Sequence, residues 1–304
     1  MGLHATRTSG LGSSLVLVGI AASLLSFSAG ATLNGVRSSP TQPLNQSALR
    51  VMTFNVRVQT DSDGDNNWPA RRDIVGSTIR FHQADIIGVQ EAYRDMIGDL
   101  EQRLPGFGWI GVGTSDGDAE GAFNPIFWRQ SRLELLRWET LWLSETPGKP
   151  GVGWDAAFPR TATCAAFRDI ASGKTIHVFN THFDHVGTEA RLHSAELLAV
   201  HVSVLPDDAH VVVLGDFNCN GASDPVRALL RGTRLSNARD VSLHGHHGPS
   251  GSFTGFAGPQ YSGPALDHIF VRGLEVQQHG TLPDHFDGRL PSDHFPVLAE
   301  LLLK

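Results

Sequence analysis

Short apolar, β-favouring runs that stop abruptly at polar, ionisable residues constrain this chain most. Residues 49–55 end in Asn55 and residues 85–91 in Gln90-Glu91. Residues 174–181 lead into His182-Phe-Asp184-His185, and residues 210–215 lead into Asp216-Phe-Asn218. A further run, 266–271, carries Asp267 at its start, and Ser292-Asp293-His294 precedes the last, 295–302. Runs of this length and composition are read as buried strands. Further strands are expected at 109–113, 125–129, 133–143, 161–169 and 276–281. Helices are expected over 69–82, opened by Pro69, over 93–104, and over 189–204, where Leu192, Leu197, Leu198 and Val202 mark one face. Strands and helices in alternation over this length predict one α/β domain from residue 49 to 304.

The segment ahead of that domain reads as an address. Residues 11–27 are uncharged and rich in Leu, Val, Ala and Ser, after a start whose one charged side chain is Arg7. Ala29-Gly30-Ala31 has the small-residue form of a signal-peptidase site, so 1–31 is expected to be a cleaved signal peptide. The apolar stretch is short for a stable membrane span. Residues 32–48, with Pro40 and Pro43, are expected to be a flexible lead-in, and the protein to be secreted or periplasmic. The chain has two cysteines, Cys164 and Cys219, too few for a disulfide framework or a cysteine-rich zinc site, and both are expected to be free thiols.

Charge narrows the partner. The chain carries 24 basic and 31 acidic residues, a formal net charge of −7, with no Lys/Arg-rich run. That balance disfavours a protein that grips many nucleic-acid phosphates, while leaving room for an enzyme that holds one.

Each polar strand end alone has an ordinary explanation. Asn55 could be a turn residue, Glu91 a solvated carboxylate at a helix start, and His182 or His294 a structural histidine. Their joint occurrence points to convergence at strand ends, where open α/β sheets gather ligands. Met52-Thr-Phe-Asn55, Gly88-Val-Gln-Glu91, Asn180-Thr-His182, Gly215-Asp-Phe-Asn218, Leu266-Asp-His-Ile-Phe270 and Ser292-Asp-His-Phe-Pro296 resemble, in order, the motifs of the endonuclease/exonuclease/phosphatase superfamily. The resemblance spans about residues 49–302. It implies a four-layer sandwich of two packed mixed β-sheets with helices on the outer faces. It also implies hydrolysis of a phosphate ester with a divalent cation.

Under that resemblance Asn55, Glu91 and Asp293 are the expected metal ligands. Oxygen donors without thiolates suit Mg²⁺ or Mn²⁺. Asp216 is expected to orient or deprotonate water, with Asn218 holding that water or a phosphate oxygen. His182 and His294 are expected to donate to the phosphoryl group, and Asp267 to fix His294. The alternative, His294 as base with Asp267 as partner, stays open at this level.

Arg160, Asp184, His185, Trp154 and Phe256 are the expected substrate contacts, with Phe158, Phe253, Arg71 and Arg72 as further candidates for an aromatic wall and a phosphate clamp. The loop 61–68 lacks the late Gly and closing Glu of a calcium loop and reads as a polar turn. The run His244-Gly-His-His247 reads as a solvated loop. The expected substrate is a sugar, inositol or lipid-headgroup phosphate ester, and the expected state a monomer. A nuclease is the second reading. A non-catalytic phosphate-binding module and a two-carboxylate glycosidase are weaker: the first leaves the clustered charges unexplained, and the second leaves the histidines without a role.

Overall fold

Alternate residues of the central strands belong to different apolar layers, which is what period-2 side-chain geometry demands of a strand buried on both faces. The computed structural model describes residues 48–258 and 263–304. The expected signal peptide and, apart from Ala48, the expected lead-in lie outside the described residues. The strands are β1 (Leu49–Asn55), β2 (Ile86–Gln90), β3 (Phe107–Ile110), β4 (Ile126–Arg129), β5 (Leu133–Trp142), β6 (Thr161–Asp169) and β7 (Thr175–His182). They continue with β8 (His210–Asp216), β9 (Ser236–Asn237), β10 (His246–His247), β11 (Asp267–Arg272), β12 (Leu274–Thr281) and β13 (Val297–Leu303). The helices are α1 (Trp68–Phe81), α2 (Arg94–Arg103), α3 (Thr188–Ser203), α4 (Asp224–Leu230) and α5 (Ala238–Val241).

Two mixed sheets result, one ordered β10-β12-β13-β1-β2-β4-β3 and one ordered β5-β6-β7-β8-β11-β9. Val51, Ile86, Val178, Val212, Leu214 and Ile269 interdigitate in one apolar cluster that joins the sheets. Met52, Phe54, Val75, Ile79 and Met96 form a second beneath α1 and α2. Val211, Val213, Leu198, Val202 and Leu229 form a third beneath α3 and α4. This is the expected α/β four-layer sandwich. Each such side chain, fully buried, contributes about 1.5–3 kcal/mol of transfer free energy.

The expected long elements are present with boundaries shifted by a few residues. The polar loop differs: residues Asp61–Asn66 form a 3-10 helix. The short α4, α5, β9 and β10 lie below the length at which periodicity speaks. Cys164 and Cys219 are free, and no helix among the described residues is long and apolar enough to cross a membrane.

Two features fix how the sheets meet. Gly88 of β2 faces the second sheet so closely that a Cβ there would lie 2.0 Å from Leu214 Cδ1. Beside it, the fully buried Asn180 of β7 crosses between sheets. Its Nδ2 donates to the backbone oxygens of Val89 (2.8 Å) and Pro125 (2.9 Å), while Oδ1 accepts from Gln90 Nε2 at 2.6 Å. Removing that amide takes a hydrogen bond from each of three buried groups, although Pro125 O keeps the Val89 N–H and Gln90 Nε2 keeps Thr53 Oγ1 and Gly88 O. Asn180→Ala is therefore expected to destabilise the protein by about 1–3 kcal/mol in urea unfolding. A loss below about 1 kcal/mol would contradict the inter-sheet role.

Candidate active site

Strand register assembles the second sheet's share of the site. β7 runs parallel to β8 with His182 opposite Asp216, and β8 antiparallel to β11 with Asp216 opposite Asp267. Three ionisable side chains thus stand in one row, each nearly fully buried. His294 comes from the segment before β13, and its Nδ1 lies 2.8 Å from Asp267 Oδ2. Its Nε2 lies 3.7 Å from Asp216 Oδ2, and His182 Nε2 lies 3.5 Å from the same oxygen. Asn218 donates from its backbone to Asp216 Oδ1 (2.9 Å) and from Nδ2 to the backbone oxygen of Phe183 (2.9 Å). That Nδ2 also lies 3.1 Å from His182 Nε2.

The first sheet supplies the rest. β1 and β2 run parallel with Asn55 opposite Gln90, so Asn55 and Glu91 emerge side by side. Asn55 Nδ2 donates to both Glu91 Oε1 (2.9 Å) and Asp216 Oδ2 (3.0 Å), a side-chain bridge between carboxylates of the two sheets. Its Oδ1 accepts the Arg57 N–H at 2.9 Å. Asn55 thus braces two carboxylates with its Nδ2, while its Oδ1, with one hydrogen bond, keeps a second lone pair. Glu91 Oε2 accepts from Val58 N (2.9 Å). Ser292 Oγ donates to Asn55 O (2.6 Å) and lies 3.2 Å from Asp293 Oδ1, tying the Asp293-His294 segment to β1.

These residues open onto a cavity of ≈ 800 Å³ lined by Glu91, Asp293, Asp216, His294, His182, Asn218 and Arg160 among others. Phe158, Phe253, Phe256 and Tyr93 provide its aromatic walls. Arg57, Glu91, Asn218 and Phe256, all on this cavity, have left-handed backbones at φ 58°, 65°, 47° and 60°. Each such residue costs about 1–2 kcal/mol. Among the described residues, four of the eight non-glycine residues with positive φ lie on this cavity, and such strain is often found at functional sites.

Arg160 is held from several sides. Its Nε donates to Asp184 Oδ2 (3.2 Å), Nη1 lies 3.1 Å from His182 Nδ1, and Nη2 lies 3.1 Å from His185 Nδ1. Asp184 does not line the cavity. Its buried carboxylate also accepts from the backbone of Val186 (2.9 Å) and Gly187 (2.8 Å). Burial opposes its ionisation, but those N–H groups and Arg160 prevail and hold it at about 2. Asp184 therefore acts by positioning Arg160. His185 lies on the cavity, stacked with Phe158 at 5.9 Å between ring centroids.

Trp154 lies off the cavity. The Asp155 carboxylate accepts from Ala190 N (2.7 Å) at the start of α3, which turns Trp154 onto His193 at a centroid distance of 5.0 Å. Arg71 and Arg72 are not phosphate clamps either. Arg71 is fully buried and donates to four backbone oxygens, those of Asn66, Val56, Pro291 and Arg57. Arg72 pairs with Asp99 at 3.0 Å. The residue that sequence reading missed is Arg57, on the cavity wall, doubly bonded to Asp63 and 3.8 Å from Asp293. A basic residue two positions past a strand-terminal Asn was its available signal.

Charge in the site is uneven. Burial and the neighbouring Asp267 raise Asp216 above the ordinary carboxylate range. Burial disfavours a charged His294, yet Asp267, Asp216 and Asp293 outweigh it and raise its affinity for a proton. Burial and Arg160 push His182 well down, leaving it neutral. Burial, then the charge of Glu91, raises Asp293. Two repelling carboxylates on one wall are a fitting place for a divalent cation, and all-oxygen donors suit Mg²⁺ or Mn²⁺. The buried group of Asp216, Asp267 and His294, with ligand atoms within 4.8 Å of one another, could also hold a metal. Asp267 Oδ1 is buried without a hydrogen-bond partner, a further unmet demand for positive charge in that group.

The chain matches the model of the Endonuclease/Exonuclease/phosphatase family over residues 52–294. It is similar to an endonuclease/exonuclease/phosphatase of Bacteroides vulgatus, at 36% identity and TM-score 0.80, covering 85% of this chain and 100% of that one. A family protein of Bacteroides thetaiotaomicron aligns at 31% identity and TM-score 0.80, covering 84% and 98% of the two chains. A mannosyl-6-phosphatase of the same organism aligns at 31% identity and TM-score 0.79, covering 84% and 99%. No curated protein matches the sequence. The family match over residues 52–294, carried on the two-sheet frame that brings the six motifs to one cavity, shows that this chain belongs to the endonuclease/exonuclease/phosphatase family.

Proposed function

We propose that the protein is an exported, divalent-metal-dependent phosphoesterase that hydrolyses the phosphate ester of a sugar or related polyol. The observation that carries this reading is the convergence of Glu91, Asp293, Asp216, His294 and His182 with Arg160 on one aromatic-walled cavity. The likeness to a mannosyl-6-phosphatase supports a sugar phosphate among the possible esters. A concave pocket walled by Phe158, Phe253 and Phe256 has room for one compact substrate. Export rests on the signal-like residues 1–31.

Glu91 and Asp293 would hold Mg²⁺ or Mn²⁺, which would neutralise phosphate oxygens and stabilise the leaving oxyanion. Asp216, raised by burial and Asp267 yet ionised when its neighbours are cationic, takes a proton from the attacking water. Asn55 and Asn218 hold its two oxygens in place. His294, protonated and oriented by Asp267, donates to a phosphoryl oxygen and so cannot also be the base. Neutral His182 and the Arg160 guanidinium face the phosphoryl group from the opposite wall. Phosphorus passes from the ester oxygen to water.

Incubation with a hexose 6-phosphate and Mg²⁺ is expected to release inorganic phosphate, and excess chelator to stop it reversibly. His294→Ala is expected to lower kcat by about 100-fold or more, and Glu91→Gln to raise the Mg²⁺ requirement by about 10-fold or more. Full turnover in chelator would exclude the mechanism. Plasmid nicking with no sugar-phosphate turnover would favour a nuclease.

Asp267 raises the proton affinity of both Asp216 and His294. Removing its charge lowers both, so Asp267→Asn is expected to move both limbs of the kcat/KM–pH profile to lower pH while reducing kcat. A profile that stays in place or moves upward would contradict these roles. Asp184→Ala is expected to lower kcat/KM nearly as much as Arg160→Ala. Wild-type kcat/KM in Asp184→Ala, with Arg160→Ala impaired, would show that Arg160 needs no such support.

A further inference from the structure

The loop His244-Gly-His-His247 turns back onto the edge of the first sheet. β10 runs parallel to β12, with His246 opposite His279 and His247 opposite Gly280. His246 Nδ1 and His279 Nδ1 lie 3.0 Å apart, and His246 Nε2 lies 2.8 Å from the backbone oxygen of Pro249. A carbonyl only accepts, so Nε2 of His246 carries the proton and Nδ1 presents a lone pair. That carbonyl orients the imidazole as the outer partner of a metal-binding histidine does. His279 lines a cavity of ≈ 360 Å³ together with His244, His247 and Glu300. Four imidazoles therefore gather at one sheet edge, and no residue of this group lines the candidate active site.

The backbone is shaped to bring them there. Gly248 has φ 88°, and a Cβ on it would meet Thr281 O at 2.0 Å, so the loop presses directly on β12. A Cβ on Gly280 would sit 3.4 Å from His247 Cβ, so glycine leaves the surface on which His247 packs. Burial keeps the inner pair uncharged, pushing His246 down and His279 down to about 3. A solvated turn requires none of this, because one histidine hydrogen bond would close it.

We propose that His246 and His279 hold a transition-metal ion of the Cu²⁺, Ni²⁺ or Zn²⁺ class. With metal–nitrogen bonds of about 2.0–2.1 Å, a separation of 3.0 Å subtends roughly 90°, the angle of tetragonal Cu²⁺ or Ni²⁺ sites. The proton on His279 Nδ1 moves to its Nε2, so the ion displaces a hydrogen bond and releases no net proton. Nitrogen donors distinguish this site from the oxygen-rich cavity, where Mg²⁺ or Mn²⁺ belongs.

The test is titration of the untagged protein with Cu²⁺ in excess Mg²⁺, followed by electron paramagnetic resonance. One saturating equivalent with nitrogen hyperfine structure is expected. His246→Gln and His279→Gln should each weaken it by about 10-fold or more, whereas His193→Gln, on exposed α3, should not. Because His279 is buried, a His244→Gln/His247→Gln double variant, changed only at exposed positions, provides a second reading. It should keep the saturable equivalent at unchanged Tm, and loss of that equivalent would overturn the assignment to His246 and His279. Absence of a saturable equivalent, or equal affinity in wild type and His246→Gln, would overturn the site.

Discussion

The Asn180 amide is the constraint on which the rest depends. Two sheets packed only through aliphatic side chains can slide by fractions of an ångström at little cost, because the hydrophobic effect has no direction. Hydrogen bonds do have direction. Asn180 fastens β7 to Val89 and Pro125 of the first sheet and to the Gln90 side chain. Two residues beyond it stands His182, and next to Gln90 stands Glu91. The bond that sets the sheets in register therefore also sets the spacing between the Glu91–Asp293 wall and the His182–Asp216–His294 wall. Gly88 makes the approach possible by leaving Leu214 and Asn180 the room that any side chain would take.

Electrostatics at the strand ends opposes folding locally. Asp216, Asp267, Asp293 and Glu91 are brought together with little water, which like charges resist. The protein offsets this with His294 between Asp267 and Asp216, with the Asn55 amide between Glu91 and Asp216, and with Arg57 near Asp293. What remains unmet, notably the orphan Asp267 Oδ1 and the raised Asp293, is demand for more positive charge. Under the proposed function, a site so poised would stabilise charge on a phosphoryl group without rearranging, the arrangement from which electrostatic catalysis draws its effect.

Much of this was legible in the sequence, for a physical reason. Buried strands must be apolar, so a strand that ends in Asn, Glu, Asp or His announces where the buried frame meets chemistry. That logic placed Glu91, His182, Asp216, Asn218, Asp267, Asp293 and His294 at one location. It failed where long-range geometry decides. Asn180 reads as part of a catalytic motif, yet serves as the inter-sheet tie. Asp184 and Trp154 sit next to site residues in sequence, but one points beneath Arg160 and the other onto α3. Arg57 carries only the faint signal of its place two residues past Asn55, and Asp63 and Asp293 fix it on the cavity wall. The gathering of His279 with the His244–His247 loop depends on a strand pairing two residues long, beyond what periodicity can register.

The central claim is that one cavity holds the cation on Glu91 and Asp293 and the phosphate between that cation and His182, His294 and Arg160. Crystals grown with Mn²⁺ and inorganic phosphate, measured for anomalous scattering, test it most directly. A Mn²⁺ peak bonded to Glu91 and Asp293 oxygens is expected, with phosphate within hydrogen-bonding distance of His182, His294 or Arg160. A well-ordered cavity without Mn²⁺, or phosphate bound away from these residues, would contradict it.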